Sequence, residues 1–232
     1  MKKSLCITAV CAALTLLPAL TFAQGGFQIG VKGGVNLSKL SFGDFLTTRV
    51  NANGSPAVDV NGQTIRDNLK ASLDSKTGTS FGIYTRFGKN LFLQPELLYS
   101  TKAGQFDIIR DGQTQTVNVK TTSFDVPVLL GIKGGPIRVM AGPIVSFRIN
   151  NDQSLNDALK TYTSGTLNDA WSKAYYGYQV GGGLDLGKFG LDVRHEGSLT
   201  DIARVDLGPT GSTAPFSQKF KSWQITLAYR LF

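Results

Sequence analysis

Stretches that alternate apolar and polar residues recur along this chain. Tight glycine turns at Gly88-Lys89-Asn90, Gly134-Gly135 and Gly187-Lys188 join them at one end, and long polar segments join them at the other. A period of two is the mark of a strand with one apolar and one polar face. Short turns on one side and long loops on the other are how a transmembrane β-barrel writes itself into sequence. Beyond the N-terminus no run reaches the ~20 apolar residues a spanning helix needs. A membrane-spanning form of this chain must therefore be a closed barrel, which leaves no backbone group unpaired in lipid.

The N-terminus reads as an export signal. Lys2 and Lys3 precede an apolar run over residues 5–20, and Thr21-Phe22-Ala23 places small residues where a signal peptidase reads. Cleavage after Ala23 is expected, giving a leader at 1–23 and one barrel domain at 24–232. Thr8, Thr15 and Pro18 interrupt the run, which argues against an uncleaved anchor. Thr8-Ala9-Val10 before Cys11 lacks the leucine of a lipidation site. Both cysteines, Cys6 and Cys11, lie in the leader, so the mature chain has no disulfide, thiolate metal site or cysteine nucleophile. Loss of Lys2 and Lys3 lowers the net charge from +8 to +6. That modest excess favours anionic lipid, while no Lys/Arg cluster resembles a nucleic-acid footprint.

Eight strands follow from the alternation. Outward residues are Phe27, Ile29, Val31, Val35 and Leu37 in the first; Phe81, Ile83 and Phe87 in the second; Leu91, Leu93, Pro95, Leu97 and Tyr99 in the third; and Phe124, Val126, Val128, Leu130 and Ile132 in the fourth. The fifth has Ile137, Val139, Ala141, Pro143, Val145 and Phe147; the sixth Tyr176, Tyr178, Val180, Leu184 and Leu186; the seventh Phe189, Leu191 and Val193; the eighth Trp223, Ile225, Leu227, Tyr229 and Leu231. The fold class is thus all-β, an eight-stranded antiparallel up-and-down transmembrane barrel. Hairpin length predicts Ile132 opposite Ile137, Leu186 opposite Phe189, Phe87 opposite Leu91 and Tyr84 opposite Gln94. The segments 39–79, 103–121, 150–173 and 201–219 read as polar surface loops, with a short helix at 151–161 and the N-terminus periplasmic. Aromatic residues gather near strand ends, where interfacial girdles sit. Phe232 has the wrong parity for the outward set, which leaves the register of the last residues open.

The opposite face carries charge. Arg86, Glu96, Lys102, Asp125, Lys133, Arg138, Arg148, Asp185, Asp192, Arg194, Glu196 and Arg230 all point into a lumen only wide enough for side chains to fill it. A paired polar network that plugs the barrel is expected, with Glu96 as the central acid and Arg86, Arg138 and Arg194 as its candidate partners. No catalytic grouping emerges: the lone His195 falls on the outward parity of the seventh strand. Asp59, Asp67, Asp74, Asp107 and Asp111 show no metal-ligand spacing and read as solubilising loop acids. No enzyme activity, metal or cofactor is expected.

Particular runs resemble a known family. Gly26-Phe27-Gln28-Ile29-Gly30-Val31-Lys32-Gly33-Gly34-Val35-Asn36, Leu93-Gln94-Pro95-Glu96-Leu97-Leu98-Tyr99-Ser100 with Lys102 and Gly104, Phe124-Asp125-Val126-Pro127-Val128-Leu129-Leu130, Ala141-Gly142-Pro143 and Gly181-Gly182-Gly183-Leu184-Asp185-Leu186 carry the likeness. Together they resemble the PorT-like outer-membrane β-barrels common in Bacteroidetes, within the broader OmpX/OmpA-type eight-stranded group. The likeness covers the strands and no loop. It implies a Gram-negative outer membrane, insertion by the barrel assembly machinery aided by the terminal Phe232, and contact with outer-membrane lipid. One branch of the family serves protein secretion across that membrane. The expected role is structural or interactive, with a protein partner met through the surface loops. The alternatives are a narrow small-solute pore and a soluble lipocalin-like binder.

Overall fold

A computed structural model of the chain describes residues 26–41, 45–53, 55–71, 74–110, 113–149, 174–200, 203–206 and 215–232. The leader at 1–23, the helix at 151–161 and Asp111 fall outside them. The described residues form eleven strands: β1 (Phe27–Ser41), β2 (Phe45–Thr48), β3 (Arg66–Ala71), β4 (Lys76–Phe87), β5 (Leu91–Arg110), β6 (Gln113–Gly134), β7 (Ile137–Arg148), β8 (Ala174–Leu186), β9 (Phe189–Ser198), β10 (Ala203–Asp206) and β11 (Pro215–Arg230). Among the described residues no helix is long and apolar enough to cross a membrane, which says nothing of strands.

Eight strands close into an antiparallel ring in the order β1, β4, β5, β6, β7, β8, β9, β11 and back to β1. One circuit of paired residues runs Phe27, Phe87, Leu93, Leu130, Ala141, Val180, His195, Trp223, Leu37. It returns to β1 ten residues above its start, a stagger that tilts the strands by about 35–45° to the axis. Polarity is the reverse of what water favours. Along β11, Trp223, Ile225 and Leu227 are 54%, 40% and 57% exposed while Gln224 and Thr226 are buried inside. Among the ring-strand residues assigned by alternation, none placed outward is buried and none placed inward is exposed, though Ile29, Phe87, Lys133, Arg148, Asp185 and Arg230 are among those half-buried.

Aromatic pairs form two belts on the outer wall. Phe27 meets Phe87 at 5.3 Å and Phe189 meets Tyr229 at 5.2 Å near the short turns. Phe81, Tyr99 and Phe124 associate at 5.1 and 5.8 Å further up, and His195 lies between Tyr178 and Trp223 at 6.2 and 5.1 Å. Six residues, about 20 Å of extended chain, separate Phe87 from Phe81, Phe189 from His195 and Tyr229 from Trp223.

Two hairpin registers differ from expectation, and both keep the faces because the shift is two residues. Lys133 faces Arg138 and Gly134 faces Ile137, so the turn is Gly135-Pro136 rather than Gly134-Gly135. Gly135 has φ +60°, and proline fixes a negative φ after it, the type II′ combination that suits a hairpin. Phe87 faces Leu93 instead of Leu91, and Tyr84 faces Glu96 instead of Gln94. Here Gly88, at φ +108°, opens a longer connection, and Leu91 and Phe92 pair with β6. Leu186 does face Phe189. At the C-terminus the amides of Leu231 and Phe232 both donate to the carbonyl of Ile29, as in a bulge, and both side chains are exposed.

Parts of the segments read as loops are strand among the described residues. Residues 103–110 and 113–121 continue β5 and β6 with Arg110 opposite Gln113, because the β-branched Thr and Val among the polar residues of 113–121 favour strand. Residues 39–79 continue the β1–β4 hairpin through β2 and β3. Ser38 faces Lys76 and Thr48 faces Arg66, so ten residues on one side match ten on the other. Against β5, however, nine residues from Ala71 to Ser80 match six from Ser100 to Phe106. An odd excess of three flips the faces, turning Thr47, Asp67 and Leu69 inward. Residues 201–219 hold β10 and the start of β11, and 150–173 lie outside the described residues.

Candidate functional site: the lumenal charge network

Strand alternation delivers the charged residues to the lumen, and their contacts divide into two levels. At the lower level Glu96 on β5 accepts from Arg194 on β9 at 2.9 and 2.8 Å, from Lys32 on β1 at 3.1 and 3.2 Å, and from Gln94 at 2.6 Å. Asp192 accepts from Lys32 at 3.1 Å, from Arg194 at 2.9 Å and from Arg138. Arg138 reaches on to Asp185, which also accepts from Arg86 at 3.0 Å and Lys133 at 2.7 Å. Arg86 donates to Gln94 at 2.6 Å and stacks its guanidinium on Phe92 at 4.8 Å.

Six residues up β5, Lys102 pairs with Asp125 at 3.0 Å and with Glu196, and donates to Tyr175 at 2.7 Å. Gln179 donates to Glu196 at 3.0 Å, and Ser123 to Asp125 at 2.8 Å. A neutral layer lies beside these levels: Gln224 donates to Asn36 at 3.1 Å and Ser80 at 3.2 Å, and Ser38 bonds Ser222 at 3.0 Å. Above the upper cluster, buried apolar residues take over, with Leu69 opposite Ile108 and Phe106 opposite Val117.

Ring order gives these contacts their meaning. β5 and β9 stand four strands apart in a ring of eight, as do β4 and β8. Glu96–Arg194 and Lys102–Glu196 therefore bridge the diameter at two depths, and Arg86–Asp185 bridges it at a third. The ions are all but dry: Arg194, Arg138, Lys102 and Glu96 are 0–4% exposed. Isolated charges would be intolerable there, so pairing is the condition of their burial.

Of the expected partners of Glu96, only Arg194 touches it. Arg138 and Arg86 serve Asp185, Asp192 and Gln94 instead. Lys32 is the partner that sequence reasoning left out of the network; its inward parity was the available signal. Also missed is an apolar sector of the inner wall, where Phe92, Leu129 and Met140 cluster between β5 and β7. Arg148 is half-buried at the far end of β7, opposite Ser123, and Arg230 is half-buried at the last residue of β11.

The acids read as solubilising have structural partners. Asp67 is buried and accepts Arg49 through two bonds at 2.7 and 2.8 Å, Asp59 closes the tip turn through the amides of Asn61 and Gln63, Asp74 accepts from Gln105, and Asp107 from Thr116. Among the described residues no group of His, Cys, Asp or Glu is placed to hold a metal.

No curated protein matches the chain. Among solved structures it is similar to the solid-state NMR structure of the outer membrane protein AlkL in DMPC lipid bilayers, with 14% identity over 88% of this chain and 90% of that one and a TM-score of 0.39. The family model described as "Outer membrane protein beta-barrel domain" matches residues 22–204. A closed antiparallel ring, apolar outside and charged within, thus accompanies a sequence match over most of the chain, and the protein belongs to the outer membrane β-barrel domain family.

Proposed function

We propose that this protein spans the outer membrane with its eight ring strands, short turns and N-terminus on the periplasmic side, and acts by contact rather than by transport or catalysis. The observation that carries this reading is the set of three ion pairs across the lumen, Arg86–Asp185, Glu96–Arg194 and Lys102–Glu196. A solute would have to break all three, leaving buried charges unpaired at a cost of several kcal/mol each. The lumen then serves as a rigid filling, and contact falls to the projecting β2–β3 and β5–β6 hairpins. In its narrower form, suggested by the PorT-like resemblance, the partner belongs to a machinery that secretes proteins across the outer membrane. No cofactor enters this reading.

A second reading, the narrow pore, draws on buried polar atoms without a protein partner: Ser100 Oγ, Gln179 Oε1 and Thr226 Oγ1. Such groups suit a file of water through the gaps between the ion pairs. Planar-bilayer recordings of purified protein separate the two. Silence, with partner recovery by crosslinking in intact cells, supports the filled barrel; steady unitary conductance that changes in Glu96→Gln overturns it. Recovery in the soluble fraction without detergent would remove both.

A further inference from the structure

The short-turn end of the barrel is strongly and one-sidedly charged. Arg86, Lys133, Arg138 and Arg230 stand there, with Lys89 and Lys188 exposed on the outer turns, and among the described residues two side-chain acids reach this group, Asp185 and, through Arg138, Asp192. Lys32 and Arg194, deeper in, share Glu96 and Asp192, and Asp192 also takes Arg138, so cations still outnumber side-chain acids toward the mouth. Asp185 already serves three cations, Arg86, Lys133 and Arg138. Arg230 forms no ion pair among the described residues, and Arg86, Arg138 and Arg230 all act on Lys133 as like charges. Arg138, 1% exposed, also keeps its Nε without a partner.

Accessibility distinguishes this mouth from the sealed levels above. The side chains of Lys133 and Asp185 retain 26% and 15% exposure, and Arg230 is half-buried. Arg86 and Arg138 form a floor, held by Gln94, Phe92 and Asp192. The floor is thus fixed, and the cations around it are open to solvent. Guanidinium forks held in place beside a partly exposed ammonium are the chemistry that recognises an oxyanion.

We propose that this vestibule binds a single oxyanion group, a phosphate or a carboxylate, between Arg230 and Lys133 above the Arg86–Arg138 floor. The ligand adds negative charge to a group in which cations outnumber acids. Its source is either a free small anion or an anionic group carried by a larger molecule. The assignment depends on the closed ring and its charges, and neither on whether the lumen conducts nor on who meets the surface hairpins.

The test uses full-length mature protein folded in a maltoside detergent, which carries no phosphate. Inorganic phosphate and acetate are titrated by calorimetry against a chloride background. Saturable binding is expected, weakened at least about tenfold in Arg230→Gln/Lys133→Gln, unchanged in Lys89→Gln/Lys188→Gln on the outer turns, and tightened in Asp185→Asn. Heat-modifiable gel mobility verifies that each variant is folded. Repeating the phosphate titration in phosphatidylglycerol nanodiscs distinguishes the source: competition by the lipid identifies a headgroup, its absence a free anion. Loss of binding in the Lys89/Lys188 variant, or no binding above chloride, overturns the assignment.

Discussion

Arg194 on β9 donates both terminal nitrogens to Glu96 on β5, at 2.9 and 2.8 Å, from the opposite side of the ring. The bond is a strut across the diameter, and Lys32 adds a second cation to the same carboxylate. Replacing Glu96 by Gln keeps the volume and removes the charge that holds two buried cations. Destabilisation of about 3–5 kcal/mol is expected, read as a lower urea midpoint for unfolding from lipid. Lys102→Met, with Asp125 and Glu196 left facing each other, should be comparably costly.

Glycine placement around this strut gives a sharper contrast. A Cβ on Gly183 would lie 2.3 Å from Asp192 Oδ1 and 2.9 Å from Arg138 Cζ, whereas on neighbouring Gly182 it meets nothing closer than 3.4 Å. Gly183→Ala should destabilise by about 1–3 kcal/mol through overpacking, and Gly182→Ala by far less. Equal midpoints for the two variants in the same urea titration would show that the network yields freely.

The β6–β7 turn offers a test of register. Gly135 occupies φ +60° and Gly134 does not have positive φ; neither is crowded. Gly135→Ala should therefore cost about 1 kcal/mol through backbone strain alone, with Gly134→Ala near neutral. Slower refolding into lipid vesicles should accompany the first and not the second.

Three prolines sit in adjacent ring strands, Pro95, Pro127 and Pro143, and the pairing is interrupted beside each, between Tyr84–Glu96 and Phe87–Leu93, between Pro95–Val128 and Leu98–Asp125, and between Pro127–Ile144 and Leu130–Ala141. Proline has no N–H to donate to a ladder. Amides flanking these gaps should exchange with deuterium faster than those of the continuous β1–β11 ladder. Uniform protection around the ring would contradict this.

Asp67 and Arg49 close the projecting arm with two bonds at 2.7 and 2.8 Å. Asp67→Asn should expose Arg49 and Arg66 to trypsin in folded protein while leaving the heat-modifiable gel shift unchanged. Loss of that shift would mean the arm is integral to the barrel's stability.

Period-two alternation settled more than the strands. Because faces depend only on parity, the inward charges Arg86, Glu96, Asp125, Arg138, Asp185, Asp192, Arg194 and Glu196 could be placed from sequence even where two hairpin registers were misjudged by two residues. An even slip leaves parity intact. The arm escaped for the complementary reason. Its polar Thr, Asn and Asp residues imitate a loop, and the three-residue excess against β5 that turns Asp67 inward exists only as a mismatch between strands.

What the chain determined by itself, then, was the ring's class, its two faces and most of the charges inside it, since backbone pairing and lipid-like polarity are local and repetitive. Which cation meets which acid was decided only by closure. A stagger of ten residues around eight strands brings Arg194 to Glu96, adds Lys32 beside them and leaves Arg230 at the mouth. Partners that are neighbours only across a lumen leave no trace in the spacing of either strand.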